Sequence, residues 1–504
     1  MHRILSISEI LRELCYNTEK CCLPLLARTC RTFQHIALDI LWADLKDIRP
    51  LALCLPDDFA SEEGGILTCR RHLSETDWDI IKKYAPRVRS IRWRGDVDLA
   101  ILKTFSFLAV GGKPLFPGLK KLFWSDSRSN AFPFICLFIG PSLVDLHLDV
   151  SDGVDADELT FLSTLGCTCP QLKALCVDGD FSMAGETALS LSVCKLRHLK
   201  ALICEKLQPS AWLHISQLPM LEDLKISLSG SLLSQLRQAM DARVHGPMFP
   251  NLRVLRLKAK TLELVLEFLE YAQISPAELD VYWLDHVTTD QTATFFSALS
   301  KQCHHDSFRV IAIDGESLNR GPAPAINIQT IRLLFCFSAL RSINLANFDT
   351  SLLDDRSIED MANTWPQLET FCLSNRRVST NITFRGISSL QNRCPLLQHL
   401  AIAFNSVDLA CVDREQLEQT VPNHKLHRLD VGRSRIENPA QVALVLFQLF
   451  DEIEAISCAW YGIASEERLL WGQVEDHLKI SRTVRDLTRR RDRGVGNYTI
   501  GMSK

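Results

Sequence analysis

Apolar residues recur along this chain in a fixed frame of three: an anchor, a second apolar residue three positions on, and a third two positions after that. Clear copies are Leu119, Leu122, Trp124; Leu143, Leu146, Leu148; Leu172, Leu175, Val177; and Leu221, Leu224, Ile226. Further copies are Leu252, Leu255, Leu257; Leu368, Phe371, Leu373; and Leu397, Leu400, Ile402. A proline stands two positions before each of these anchors: Pro117, Pro141, Pro170, Pro219, Pro250, Pro366 and Pro395. Counting weaker copies, the anchors are Val88, Leu119, Leu143, Leu172, Leu199, Leu221, Leu252, Leu279, Phe308, Leu340, Leu368, Leu397, Leu426 and Ile453. Their mean spacing is about 28 residues, a period that marks a stacked repeat array. The alternation inside each frame predicts a short strand with its apolar residues turned inward and the intervening residues turned out.

Helical periodicity fills the space between frames. In Thr261–Gln273, residues Leu262, Val265, Leu266 and Leu269 fall on one helical face. Asp290–Cys303 and Asp355–Trp365 open on an acidic residue suited to a helix start, and Pro439–Phe450 opens on proline. Strand then helix, repeated, predicts an α/β solenoid bent into a horseshoe. Burying three apolar side chains per frame is worth roughly 1.5–3 kcal/mol each, most of it offset by the ordering of the same residues. A single repeat is therefore unstable, and the array must stack to fold.

Composition narrows the function classes. With 46% hydrophobic and 23% charged residues the 504-residue chain reads as globular. A net charge of −4, from 56 basic and 60 acidic residues, argues against a general nucleic-acid binder. No apolar run approaches the roughly 20 residues of a membrane span, and the polar start does not read as a secretory signal. A cytoplasmic or nuclear location is expected. The 18 cysteines are then reduced thiols acting as small hydrophobes. Adjacent Cys21 and Cys22, the pair Cys167 and Cys169, and Cys303 with His304 and His305 lack a second half at zinc spacing, so no metal or cofactor is expected. Catalytic motifs are missing too. Gly111, Gly112, Lys113 and Pro114 lack the spacing of a phosphate loop, and no enzyme activity is expected.

The apolar frame resembles the leucine-rich repeat family over roughly residues 85–460. It departs from the family in the asparagine or cysteine usually found three residues after the frame; Asn405 is the clear case. Residues 1–46 lie outside the frame and read as three short helices. Ile7, Ile10, Leu11 and Leu14 make one apolar stripe, followed by Leu23, Leu25 and Leu26, and then by Phe33, Leu38, Leu41 and Trp42. So small a unit cannot bury them all. Here the sequence resembles the F-box family, and fungal members in particular, through Glu9, Ile10 and Leu11, Cys30 and Arg31, Phe33, and Leu41 and Trp42. Ile7 and Ser8 stand where the family has leucine and proline.

That resemblance implies a substrate-recognition subunit of a Skp–cullin–F-box ubiquitin ligase. Ile7, Ile10, Leu11, Cys30, Phe33, Leu41 and Trp42 would carry the contact with the Skp-type adaptor or its supporting core. The alternative is a scaffolding repeat protein whose N-terminal helices only cap the array. The expected plan is 1–46 F-box, 47–84 helical connector or N-terminal cap, 85–462 solenoid, 463–480 capping helix with Leu469, Leu470, Val474 and Leu478 on its apolar side, and 481–504 a flexible basic tail. A target protein would meet the concave face, where the frames place Arg92, Arg94, Asp145, Asp149, Asp178, Glu205, Lys225, Arg256, Lys258, Trp283, Asp285 and Asp314.

Overall fold

The computed structural model describes residues 7–496 apart from 64–65, 96, 108–113, 127, 129, 151–155, 180, 242–247, 316–322, 374–379, 408, 410–420 and 459–464. The segment Gly111 to Lys113 and residues 497–504 of the basic tail lie outside them. The chain divides into two compact units, residues 1–227 with 234–251, and residues 228–233 with 252–504. Both are mixed α/β.

The first unit opens with α1 (Ser8–Tyr16), α2 (Leu23–Ala27) and α3 (Arg31–Ala43). Leu11, Cys15, Leu23, Ile36 and Ala37 form their common core, with Leu26, Phe33 and Leu41 packed against it. α3 runs into β1 (Asp44–Leu45). The connector expected to be helical instead contains an antiparallel hairpin, β2 (Ala60–Glu63) on β3 (Ile66–Cys69), between short helices at Arg49–Ala52 and Glu75–Tyr84. Gly64 and Gly65 lie between the two paired strands, a sequence that favours a tight hairpin over a helix. Then come β4 (Ser90–Trp93), β5 (Lys121–Ser125), β6 (Asp145–Asp149), β7 (Ala174–Asp178), β8 (Ala201–Cys204) and β9 (Asp223–Leu228). β1 pairs with β4, and each later strand pairs in parallel with the one before it.

The second unit repeats the scheme with β10 (Val254–Ala259), β11 (Glu278–Trp283), β12 (Val310–Gly315), β13 (Ser342–Asn344), β14 (Thr370–Cys372), β15 (His399–Ala401), β16 (Arg428–Asp430) and β17 (Ala455–Ser457). All pair in parallel in chain order. Helices at Leu262–Ala272, Thr289–Gln302, Asp355–Thr364 and Pro439–Leu449 stand between strands, close to the expected spans, and a further helix runs over Phe384–Arg393.

The recurrent proline has a local cause. The anchor amide donates three residues back, Leu119 to Phe116, Leu143 to Gly140, Leu172 to Cys169, Leu221 to Leu218, Leu368 to Trp365 and Leu397 to Cys394. These are β-turns with proline at the second position, where its fixed φ suits the turn. The next two amides then share one carbonyl of the preceding repeat, as Lys173 and Ala174 share Val144 O, and Glu369 and Thr370 share Arg341 O. Turn and ladder together set the register of each strand on its neighbour.

In thirteen of the fourteen repeats the strand falls where the anchors place it, and the anchor is buried. β11 is the correction. Leu279 pairs with Leu255, the second position of its frame, so the frame is Pro276, Leu279, Val281 rather than Leu279, Tyr282, Leu284. The shift of three residues reverses inward and outward, and Trp283 is core instead of surface.

The C-terminal segment is a second correction. The helix does not stop at residue 480 but runs over Ser465–Gly496. Among its described side chains Trp471, Val474 and Leu478 are buried, while Leu469 is exposed. Arg485, on the part expected to be flexible, pins the helix by donating to Asp451 and, at 2.7 Å, to Glu452.

Candidate functional site

α1 carries two apolar stripes. Leu11 and Cys15, four residues apart, face the three-helix core. Ile7, Ile10 and Leu14, spaced by three and four, face outward and are 45%, 36% and 47% exposed; Leu25 of α2 is 64% exposed. One stripe suffices to fold the unit, so the second is surplus to folding.

The seven residues expected at the adaptor contact separate accordingly. Ile7 and Ile10 are accessible. Leu11 is core, Phe33 and Leu41 pack against that core, and Cys30 is the half-buried N-cap of α3, where the Phe33 amide lowers its thiol pKa. Trp42 is buried and stacks on Tyr84, ring centroids 4.6 Å apart. Leu11 and Trp42 are thus supporting residues that no partner can touch in this arrangement. The attachment of α3 is reinforced by an Arg87–Asp39 ion pair, by Arg87 Nη1 donating to His35 O at 3.2 Å, and by Arg89 N donating to Ala43 O at 2.8 Å.

The outward residues of β4–β9 line up in rows across the strands. The central row is Arg92, Phe123, His147, Cys176, Ile203 and Lys225. On one side lie Lys121, Asp145, Ala174, Ala201 and Asp223; on the other Ser125, Asp149 and Asp178. Asp149 and Asp178 are direct cross-strand partners. Ser125 Oγ donates to Asp149 at 2.8 Å, Lys121 pairs with Asp145 at 3.6 Å, and Ser227 Oγ donates to Glu205 at 2.8 Å. Arg92, Arg94, Asp149, Asp178 and Lys225 are exposed, and Asp145 and Glu205 half-buried. The first unit therefore gathers seven of the twelve sequence-predicted face residues on one sheet face and its rim.

Sequence reasoning passed over His147 and Cys176, although both sit at the outward position between the last two apolar residues of their frames. Cys176, taken for a small core hydrophobe, is half-buried on the outer face. Burial and the neighbouring Asp178 charge push its thiol up to about 12. Cys169, Cys204, Cys303 and Cys394 do behave as core residues.

In the second unit Arg256 pairs in register with Asp280, and Lys258 with Tyr282 and then Asp314. Asp314 accepts from Asn347 and from the Gly315 amide, Asp285 pairs with Lys260 at 3.8 Å, and Trp283 is inside. Among the described residues no helix is long and apolar enough to cross a membrane.

The sequence matches no family model, and no curated protein matches it. Among solved structures, a crystal structure of the complex of Rad7 and Elc1 from yeast is similar at 15% identity. That match covers 85% of this chain and 87% of the other, with a TM-score of 0.36.

Proposed function

We propose that this protein is a non-enzymatic substrate receptor of a Skp–cullin–F-box ubiquitin ligase. Its N-terminal helices dock to the Skp-type adaptor, and the outward faces of its leucine-rich repeat strands hold a target protein. Ubiquitin transfer belongs to other subunits, and this chain contributes proximity by raising the local concentration of the target.

The observation that carries the reading is the second apolar stripe of α1. Ile7, Ile10 and Leu14 are not needed for the core that Leu11 and Cys15 complete, and such a face at helical spacing fits a groove on a partner. The capping role also has support, since β1 extends the sheet and Trp42 stacks on Tyr84. The two roles use different sides of the module: α3 and β1 attach it, and α1 is left for docking. The target face is a banded surface, acidic around Asp149 and Asp178 and basic at Arg92 and Lys225, suited to a protein of complementary charge.

Co-purification of the full chain with a Skp-type adaptor tests the proposal. Capture by the wild type and loss of capture in Ile10→Asp, with unchanged circular dichroism, is the expected result. A folded wild-type chain that captures no adaptor overturns it.

A further inference from the structure

We propose that His147, Cys176 and Asp178 form a binding site for a zinc-class divalent cation on the outer face of β6 and β7. His147 and Cys176 are cross-strand partners, and Asp178 lies two residues beyond Cys176, so all three project from the same face of the sheet. His147 Nε2 is 3.3 Å from Asp178 Oδ2, and Cys176 Sγ is 3.5 Å from the same oxygen. All three ligand atoms lie within 4.8 Å of one another.

These separations fit tetrahedral coordination. With metal–nitrogen and metal–oxygen bonds of about 2.1 Å and a metal–sulfur bond of about 2.3 Å, the nitrogen–oxygen edge is about 3.4 Å and the edges to sulfur about 3.6 Å. Two edges are already at these lengths, and the third, between His147 and Cys176, is no longer than 4.8 Å. The donor set of one imidazole, one thiolate and one carboxylate selects zinc over calcium or magnesium, which take oxygen ligands alone.

The surroundings favour the same geometry. The His147 ring stacks on Phe123, centroids 4.4 Å apart and planes 19° from parallel, which limits its rotation. Asp149 is the register partner of Asp178 and is itself held by Ser125 Oγ, adding a second carboxylate at the rim. Three ligands on an accessible face leave a fourth position open to water or to a donor from a bound protein. The proposal stands whether or not the chain docks to a ligase adaptor.

Cobalt(II) titration of the reduced full-length protein tests it. The expected result is a near-ultraviolet cobalt–thiolate band that saturates at one ion per chain and is competed away by zinc. Cys176→Ser should abolish the band. His147→Gln and Asp178→Asn should each weaken binding at least about tenfold, the least expected when a direct ligand is lost. The pair Cys21→Ser and Cys22→Ser, which removes the other such thiol cluster among the described residues, should leave the band unchanged. Circular dichroism checks that each variant is folded. No thiolate band with cobalt in excess, or a band that survives Cys176→Ser, overturns the assignment.

Discussion

Gly315→Ala tests the register of β11 and β12 at its most sensitive point. Gly315 pairs with Trp283 across the two strands. A Cβ built on Gly315 meets Trp283 Cε2 at 2.2 Å and Nε1 at 2.4 Å, inside any allowed contact. The indole is buried and also packs against Phe348, centroids 5.5 Å apart, so it cannot swing away freely. Overpacking of this kind costs about 1–3 kcal/mol. The lower entropy of an unfolded chain with alanine offsets roughly 0.5–1 kcal/mol of this, leaving a net loss of up to about 2.5 kcal/mol. With Trp283→Ala the obstruction is gone, and adding Gly315→Ala should then stabilise by about 0.5 kcal/mol. The sign change is the diagnostic. Hydrogen exchange of the β11 and β12 amides, read as local opening free energies, measures it in each background. If Gly315→Ala has the same effect with and without Trp283, the indole does not lie over the glycine and the register is wrong.

Three further outcomes follow from individual contacts. Asp355 accepts from Thr383 N at 2.7 Å, Thr383 Oγ1 at 2.6 Å and Gly386 N at 3.0 Å, so Asp355→Ala should destabilise the Phe384–Arg393 helix by about 2–4 kcal/mol, seen as faster amide exchange there. Truncation after residue 480 removes Arg485 and leaves Asp451 buried beside His424, so it should cost about 3 kcal/mol in chemical denaturation, whereas loss of a flexible tail would cost nothing. Asp77 is held below the usual carboxylate range by hydrogen bonds from Arg71 and then Ser74. Its folded pKa lies below its unfolded value of about 3.9, so its contribution is complete above that pH and is lost as pH falls through the folded pKa. Asp77→Asn should cost about 2 kcal/mol near neutral pH and flatten the acid limb of a stability–pH profile.

Much of the fold was legible because two independent signals coincide at the clearest repeats. The apolar frame gives the strand face, and the proline two residues before the anchor gives the turn that starts it. Where the turn signal was misassigned the frame slipped. Pro276 is itself the anchor of β11, and the aromatic Tyr282 beside Trp283 made either residue a plausible core position. The hairpin at residues 60–69 carried a Gly-Gly signal that the expectation of a helical connector overrode. The C-terminal helix was cut short because its charges after residue 480 read as solvent-facing, while Arg485 satisfies buried Asp451, a pairing between residues 34 apart that no local pattern reveals. On the outer face, charged residues stood out in the sequence, but the row joining His147 to Cys176 needs the register of two strands.

The central claim is that the outward stripe of α1 is a docking surface while the inward stripe is structural. The direct measurement is the affinity of the full chain for a Skp-type adaptor by titration calorimetry, for wild type and for the double substitution Ile10→Asp with Leu14→Asp. The account predicts binding by the wild type and a loss of at least about 30-fold in the variant, the scale of an interface hot spot, with an unaltered circular dichroism spectrum. Equal affinity in the two folded proteins would contradict it.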